Sequence, residues 1–116
     1  MTFLTVLKMI AAAATILTGL VALVRPRAIF TFTGLRVEGG RGITEIRSFL
    51  GGALIGVGAA ALFFRMLETY QMLGGLYLAA GLVRLVSMFL DDSLETSNVI
   101  SLVTELVFGV ILVFPG

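Results

Sequence analysis

The residues of this chain that could do chemistry are few, and they stand in apolar surroundings. Glu105 lies inside the run 99–114, with about as many apolar neighbours before it as after it. Arg84 sits in Gly81-x-x-Arg84-x-x-Ser87, and Arg47 in Glu45-x-Arg47 ahead of Gly51-Gly52. A carboxylate and guanidinium groups in such a setting have two uses. They can form a site for an anionic ligand or a proton, or they can pair and fix the register of the segments that carry them. The chain has no cysteine and no histidine. That removes thiol chemistry, the commonest zinc and haem ligands, and imidazole as general base. The expectation is therefore a binding or structural polar cluster of Glu45, Arg47, Arg84, Ser87 and Glu105, with no catalytic residue, metal or cofactor, and no enzyme.

Composition says what must position these residues. Of 116 residues 59% are hydrophobic and only 13% charged, where a soluble domain has about 45–50% apolar and about 25% charged residues. So few charges cannot cover a soluble surface. The net charge of +1 offers no footprint for nucleic acid. The partners expected are the lipid bilayer and other membrane proteins or further copies of the chain. The first apolar run is not read as a signal peptide: Lys8 falls inside it, and the residues after it are just as apolar.

About 20 apolar residues cross a hydrocarbon layer of about 30 Å, and the chain divides into four such spans, about 3–24, 43–64, 70–90 and 98–114. The fold class expected is all-α, a single integral membrane four-helix bundle over residues 1–116 with short loops. In the first span Lys8, Ala12, Thr15, Gly19 and Ala22 share one stripe, small and weakly polar, of the kind that packs helices closely in lipid. Lys8 can face the bundle, or it can snorkel to the nearer headgroups. Arg25-Pro26-Arg27 ends that span, since proline lacks an N–H and restrains the residue before it. The connection after that span reads as an interfacial segment with a short helix after Pro26. In the second span Gly52, Gly56 and Ala60 make a small-xxx-small ladder, joined by Gly51 and Gly58. Tyr77 and Arg84 share a stripe of the third span, and Ser97 or Asn98 can cap the fourth.

Four spans put both termini on one side and the loops 25–42 and 91–97 on the other, the arginine side. Counted inward from it at about 1.5 Å per residue, Arg47 lies about 6 Å deep, Arg84 about 9 Å and Glu105 about 10 Å. Charges from different helices thus fall in one layer. Facing lipid, each would cost roughly 2.5–3.5 kcal/mol near a helix centre. They are expected to turn inward, with Glu105 beside Arg84, Arg47 as a further member and Glu45 balancing it nearer the surface. The arginine side carries Arg25, Arg27, Arg36 and Arg41 against Arg65 opposite. The positive-inside rule makes it cytoplasmic and both termini external.

Glu45-x-Arg47 with Gly51-Gly52, Gly81-x-x-Arg84-x-x-Ser87 running into Asp91, and Glu105 together resemble an uncharacterised family of small four-span bacterial membrane proteins, a domain of unknown function. The likeness covers nearly the whole chain. Asp91-Asp92 stands where the family pattern has Asp-Gly. The resemblance implies a four-helix fold in a bacterial inner (plasma) membrane and no established activity. Two functions are open on the sequence. One is a structural or accessory subunit of a larger membrane complex, the Arg/Glu cluster fixing helix packing. The other is a small transporter or a lipid- or quinone-binding protein that uses the cluster as its site. Small multidrug transporters, similar in length and span number, rely on an acidic residue in their first span, where this chain has only Lys8.

Overall fold

The computed structural model describes residues 2–116. Among them the chain is all-α, with five helices: α1 (Phe3–Val24), α2 (Pro26–Thr33), α3 (Gly39–Phe64), α4 (Leu67–Leu90) and α5 (Thr96–Val113). All but α2 are long and apolar enough to cross a membrane, and the chain is a multi-pass membrane protein. The spans begin two to four residues earlier than hydropathy alone places the second, third and fourth, because helix runs on into flanking polar residues.

Local chemistry sets the breaks. Thr2 caps α1, its hydroxyl accepting from the Thr5 N–H at 3.1 Å. Pro26 opens α2, where its missing N–H costs nothing. Gly34 closes α2 in the left-handed conformation at φ 75°, its N–H returning to Phe30 O. Arg65, at φ 55°, stops α3 in the same conformation without being glycine. The α4–α5 connection turns at Asp92, φ 51°. Glycine is the residue for which a positive φ carries no steric cost, and here an aspartate takes it.

Two antiparallel pairs make up the bundle, and glycines set their registers. In the first pair α1 lies on α3: a Cβ at Gly19 would stand 2.7 Å from Gly51 O, and one at Gly58 would stand 2.9 Å from Ala12 O. In the second pair α4 lies on α5: a Cβ at Gly74 would stand 2.9 Å from Val113 N, and one at Gly109 would stand 2.5 Å from Leu78 Cδ2. Such close backbone approach supplies the van der Waals contact that associates helices in lipid. The stripe Lys8, Ala12, Thr15, Gly19 and Ala22 is buried, as its spacing predicts. In α3, Gly51 and Gly58 make the contacts, while Gly56 of the expected ladder has nothing near it.

The pairs join on the terminal side. A core of Ala11, Ala12, Ala61, Tyr70, Leu73 and Leu112 fills that half, with Met9, Val57, Leu62, Tyr77 and Phe108 packed around it. Toward the arginine side the pairs part. There α3 is wound as a π-helix from Ile46 to Ala53 and packs on α1. The short helix α2 touches α1 and α5 and lies at the mouth of the gap.

Candidate functional site

Gly81 brings the second pair together at the level of the charges. A Cβ there would stand 3.1 Å from Leu106 Cδ2 and 3.4 Å from Glu105 Cβ. One turn on, Arg84 meets Glu105 as a fork. Its Nε donates to Oε1 at 2.6 Å and its Nη2 to Oε2 at 3.1 Å. This planar, two-point match is the strong form of a guanidinium–carboxylate contact. The remaining Nη1 donates to Asn98 Oδ1 at 2.8 Å. Asn98 in turn donates from Nδ2 to Ser93 O at 2.9 Å and to Ser93 Oγ at 3.2 Å. A chain of hydrogen bonds therefore runs from Glu105 in mid-α5 to Arg84 on α4, back to Asn98 at the start of α5 and on to Ser93 in the connecting loop, and those made by Arg84 are charge-assisted. The Glu105 side chain is 12% exposed and that of Arg84 35%, so the carboxylate is the buried member and the guanidinium faces outward.

Arg84 faces a cleft of about 810 Å³ between α4, α5 and the end of α2. Phe32, Ala79, Ala80 and Val83 give it an apolar wall. Ser87, one turn beyond Arg84, joins Asn98, Ser97 and Ser101 in a polar wall, and Asp91 and Glu95 stand at the rim. The volume is that of a small-molecule site, about 300–1,000 Å³.

The structure does not bring Arg47 or Glu45 to this pair. Arg47 is exposed on the π-helical part of α3, whose buried positions are Ile46 and Gly51. Glu45 pairs with Arg41, one turn before it, and both are exposed. The expected convergence fails for a geometric reason. Counting residues fixes how deep a side chain lies but not which way it points. At the arginine end, α3 packs on α1, across the gap from α4 and α5. Near the headgroups an arginine has an outlet that a residue at mid-span lacks, since its long stem lets it snorkel.

Polar residues away from the cleft also bond within the bundle. Lys8 is 1% exposed and turns into the bundle rather than to the headgroups. Its Nζ donates to Ile111 O at 2.6 Å, Leu112 O at 3.0 Å and Phe114 O at 2.5 Å. These are carbonyls at the end of α5, where helix geometry leaves acceptors without partners and the dipole favours a cation. Gln71 Nε2 adds a bond to Val113 O at 3.0 Å. In mid-bundle Thr15 gives its hydroxyl proton to Ala11 O at 2.9 Å. Tyr77 therefore donates to Thr15 Oγ1, at 2.5 Å, while its ring meets Phe108 edge-on. Among the described residues no buried side-chain polar atom lacks a partner, and no group of acids could hold a metal ion. Asn98 could have been found from its spacing. It continues the face of Ser101, Glu105 and Gly109 by one turn, although its side chain serves Arg84 instead of capping α5.

No curated protein and no solved structure matches the chain. Residues 3–115, which carry both helix pairs and every residue of the cleft, match the family model described as "Domain of unknown function (DUF4345)", and the chain belongs to that family.

Proposed function

We propose that this protein binds an amphiphilic small molecule of lipid or quinone type in the cleft on its arginine side, and that Arg84 supplies the contact to the polar end of that molecule. One observation carries the reading: the cleft grades from Phe32, Ala79, Ala80 and Val83 to Arg84, Ser87, Asn98 and Ser101. Ligand sites combine such apolar walls with a few placed polar groups. Glu105 holds the guanidinium in a fixed orientation, and the Asn98–Ser93 bonds tie the loop to it. The role is one of binding or carrying, without catalysis. The test is titration with a short-tailed benzoquinone and with a single-chain phospholipid, using unmodified protein and Ala80→Trp, which fills the apolar wall. Saturable binding of either probe, lost in Ala80→Trp, supports the site. Binding that survives the filled cleft removes it.

A second reading makes the chain an accessory subunit of a larger membrane complex, or a homo-oligomer, with the Arg84–Glu105 pair holding helix register. It rests on small residues left uncovered: a Cβ at Gly56 or at Gly75 would meet nothing within 4 Å. Purification under native conditions separates the two. Stoichiometric recovery with another membrane protein supports the subunit, and recovery of the free protein with a co-purified amphiphile supports the binder.

For either role we place the chain in a bacterial inner membrane, with loops 25–42 and 91–97 cytoplasmic and both termini external, following the arginine distribution. The chain has no native cysteine, so single cysteines report cleanly. Labels at Thr2 and Gly116 should react from outside intact cells and a label at Glu38 should not. The reverse pattern inverts the orientation.

A further inference from the structure

The stretch from Arg25 to Arg47 holds five arginines against Glu38 and Glu45. Among the described residues only Arg41 of the five forms an ion pair, with Glu45. Arg25, Arg27, Arg36 and Arg47 are exposed and have no carboxylate partner there. Arg47 belongs to a membrane-spanning helix, so its charge must find its partner at the headgroup level that its long stem reaches. Glu105 is committed to Arg84 and Glu45 to Arg41, and Glu38 forms no ion pair among the described residues.

Beside these arginines lies a second, apolar groove of about 280 Å³. It exists because the chain doubles back tightly after α2. A Cβ at Gly42 would stand 2.5 Å from Val37 Cβ, so the segment before α3 lies against its first turns. Leu35 and Val37 form one wall, and Ile46, Phe49 and Leu50 the other. The polar member of the lining is Glu45, which Arg41 holds. Arg36 stands between Leu35 and Val37, and Arg47 follows Ile46. Exposed arginines thus adjoin both walls in sequence, and apart from Glu45 the groove is lined by hydrocarbon.

We propose that this groove is a binding site for an anionic phospholipid of the surrounding bilayer. An acyl chain lies along Leu35, Val37, Phe49 and Leu50, and the phosphate is taken by Arg36 and Arg47. Charge complementarity selects the occupant: the stretch is positive, Arg36 and Arg47 are exposed, unpaired and next in sequence to lining residues, and anionic headgroups are the anions a bilayer supplies at that level. Guanidinium suits phosphate because its donors match two oxygens at once. A second copy of the chain offering its acidic loop 91–95 is the rival occupant. The site is separate from the cleft and shares no lining residue with it.

The experiment is native mass spectrometry of the protein released from nanodiscs of equal phosphatidylglycerol and phosphatidylcholine. Phosphatidylglycerol should be retained over phosphatidylcholine. Arg36→Gln and Arg47→Gln should each reduce that preference by about fivefold, the contribution of one basic residue near an anionic surface. Arg65→Gln, the same charge change on the other side, and Ala80→Trp in the cleft should leave it unchanged. Neither Arg36 nor Arg47 holds another part of the chain, so these variants keep the fold. The unmodified protein tests the same point through salt, since the preference should fall as the screening length shortens. Equal retention of the two lipids, a preference indifferent to salt, or an equal effect of Arg65→Gln overturns the proposal. So does a salt-sensitive dimer that carries no lipid, which would assign the arginines to a second copy.

Discussion

The two halves of this bundle handle buried charge in opposite ways. On the terminal side the helix pairs close on each other, and the buried charge among the described residues there, Lys8, is sealed among backbone carbonyls at the end of α5. On the arginine side the pairs part, and the charge that matters, Arg84, is held by side chains and borders a cleft. A lysine fed by helix-end carbonyls needs no acid, and it stitches α1 to α5. A forked arginine needs a carboxylate, and it leaves one edge of the guanidinium facing the cleft. The difference teaches that charge within a span can seal one part of a protein and furnish another.

Breaking the sealed half should have the larger effect. In Lys8→Met a side chain of similar length replaces the ammonium, and the carbonyls of Ile111, Leu112 and Phe114 lose their donor. Each buried acceptor left unmet costs about 1–3 kcal/mol, and relief of the buried charge offsets part of the sum, for a net loss of about 3 kcal/mol. Thermal unfolding in detergent should give this variant a lower midpoint than either Glu105→Gln or Gly74→Ala. A midpoint equal to that of the unmodified protein would mean the clamp contributes nothing.

Glu105→Gln comes next in size. It leaves the Arg84 guanidinium without its counter-charge, and breaking a fully buried pair typically costs about 3–5 kcal/mol. The Arg84 side chain is 35% exposed, so water reaches it and the loss should be nearer about 2 kcal/mol. Glu95→Gln, at the rim of the same cleft, is the control and should leave the midpoint unchanged. Equal midpoints for the two would show that the pair does not hold helix register.

Glycine substitutions compare the closed half with the level of the charges, because the same methyl is added at two points along one helix pair. At Gly74, in the closed half, a Cβ would meet Val113 N at 2.9 Å and Leu112 Cβ at 2.8 Å. Backbone cannot swing aside, so Gly74→Ala should cost about 1–3 kcal/mol. At Gly81 the nearest atom is the flexible end of Leu106 at 3.1 Å, and Gly81→Ala should cost less than that range. Unfolding midpoints in that order sharpen the contrast; the reverse order would break it.

Much of this arrangement is legible in the sequence, for reasons the particular residues make plain. Spans follow from hydropathy, and the α1 stripe from helical spacing of Lys8, Ala12, Thr15, Gly19 and Ala22. The adjacency of Arg84 and Glu105 follows from similar depth on helices joined by a short loop. Azimuth is the property that spacing does not carry across helices. Nothing in the order of residues says that the π-helical part of α3 packs on α1, so Arg47 could be placed in depth but not in direction. The same gap applies to glycines: Gly51 and Gly58 touch α1, while Gly56, equally plausible on paper, has no neighbour. Lys8 is legible as a stripe member, but its carbonyl partners belong to a helix end more than a hundred residues later.

The smallest effect expected is a gain, and it too distinguishes the two sides. Arg65 on the terminal side and Asp92 on the arginine side both hold positive φ, at 55° and 51°. A side chain in this conformation crowds the following carbonyl at about 1–2 kcal/mol, with aspartate among the residues that tolerate it best. Glycine removes the crowding but gives the unfolded chain more freedom, which takes back about 0.4–1 kcal/mol. Asp92→Gly should therefore stabilise by no more than about 0.5 kcal/mol. Arg65→Gly should gain somewhat more, because arginine has no short polar group to ease the conformation; its Nε reaches Leu62 O only at 3.3 Å. The check is a pair of midpoints, both at or above that of the unmodified protein, with Arg65→Gly the higher. If Asp92→Gly instead lowered the midpoint, the aspartate would be holding the loop beside the cleft through its own charge. The residue at that position would then bear on the cleft's rim and not on backbone strain alone.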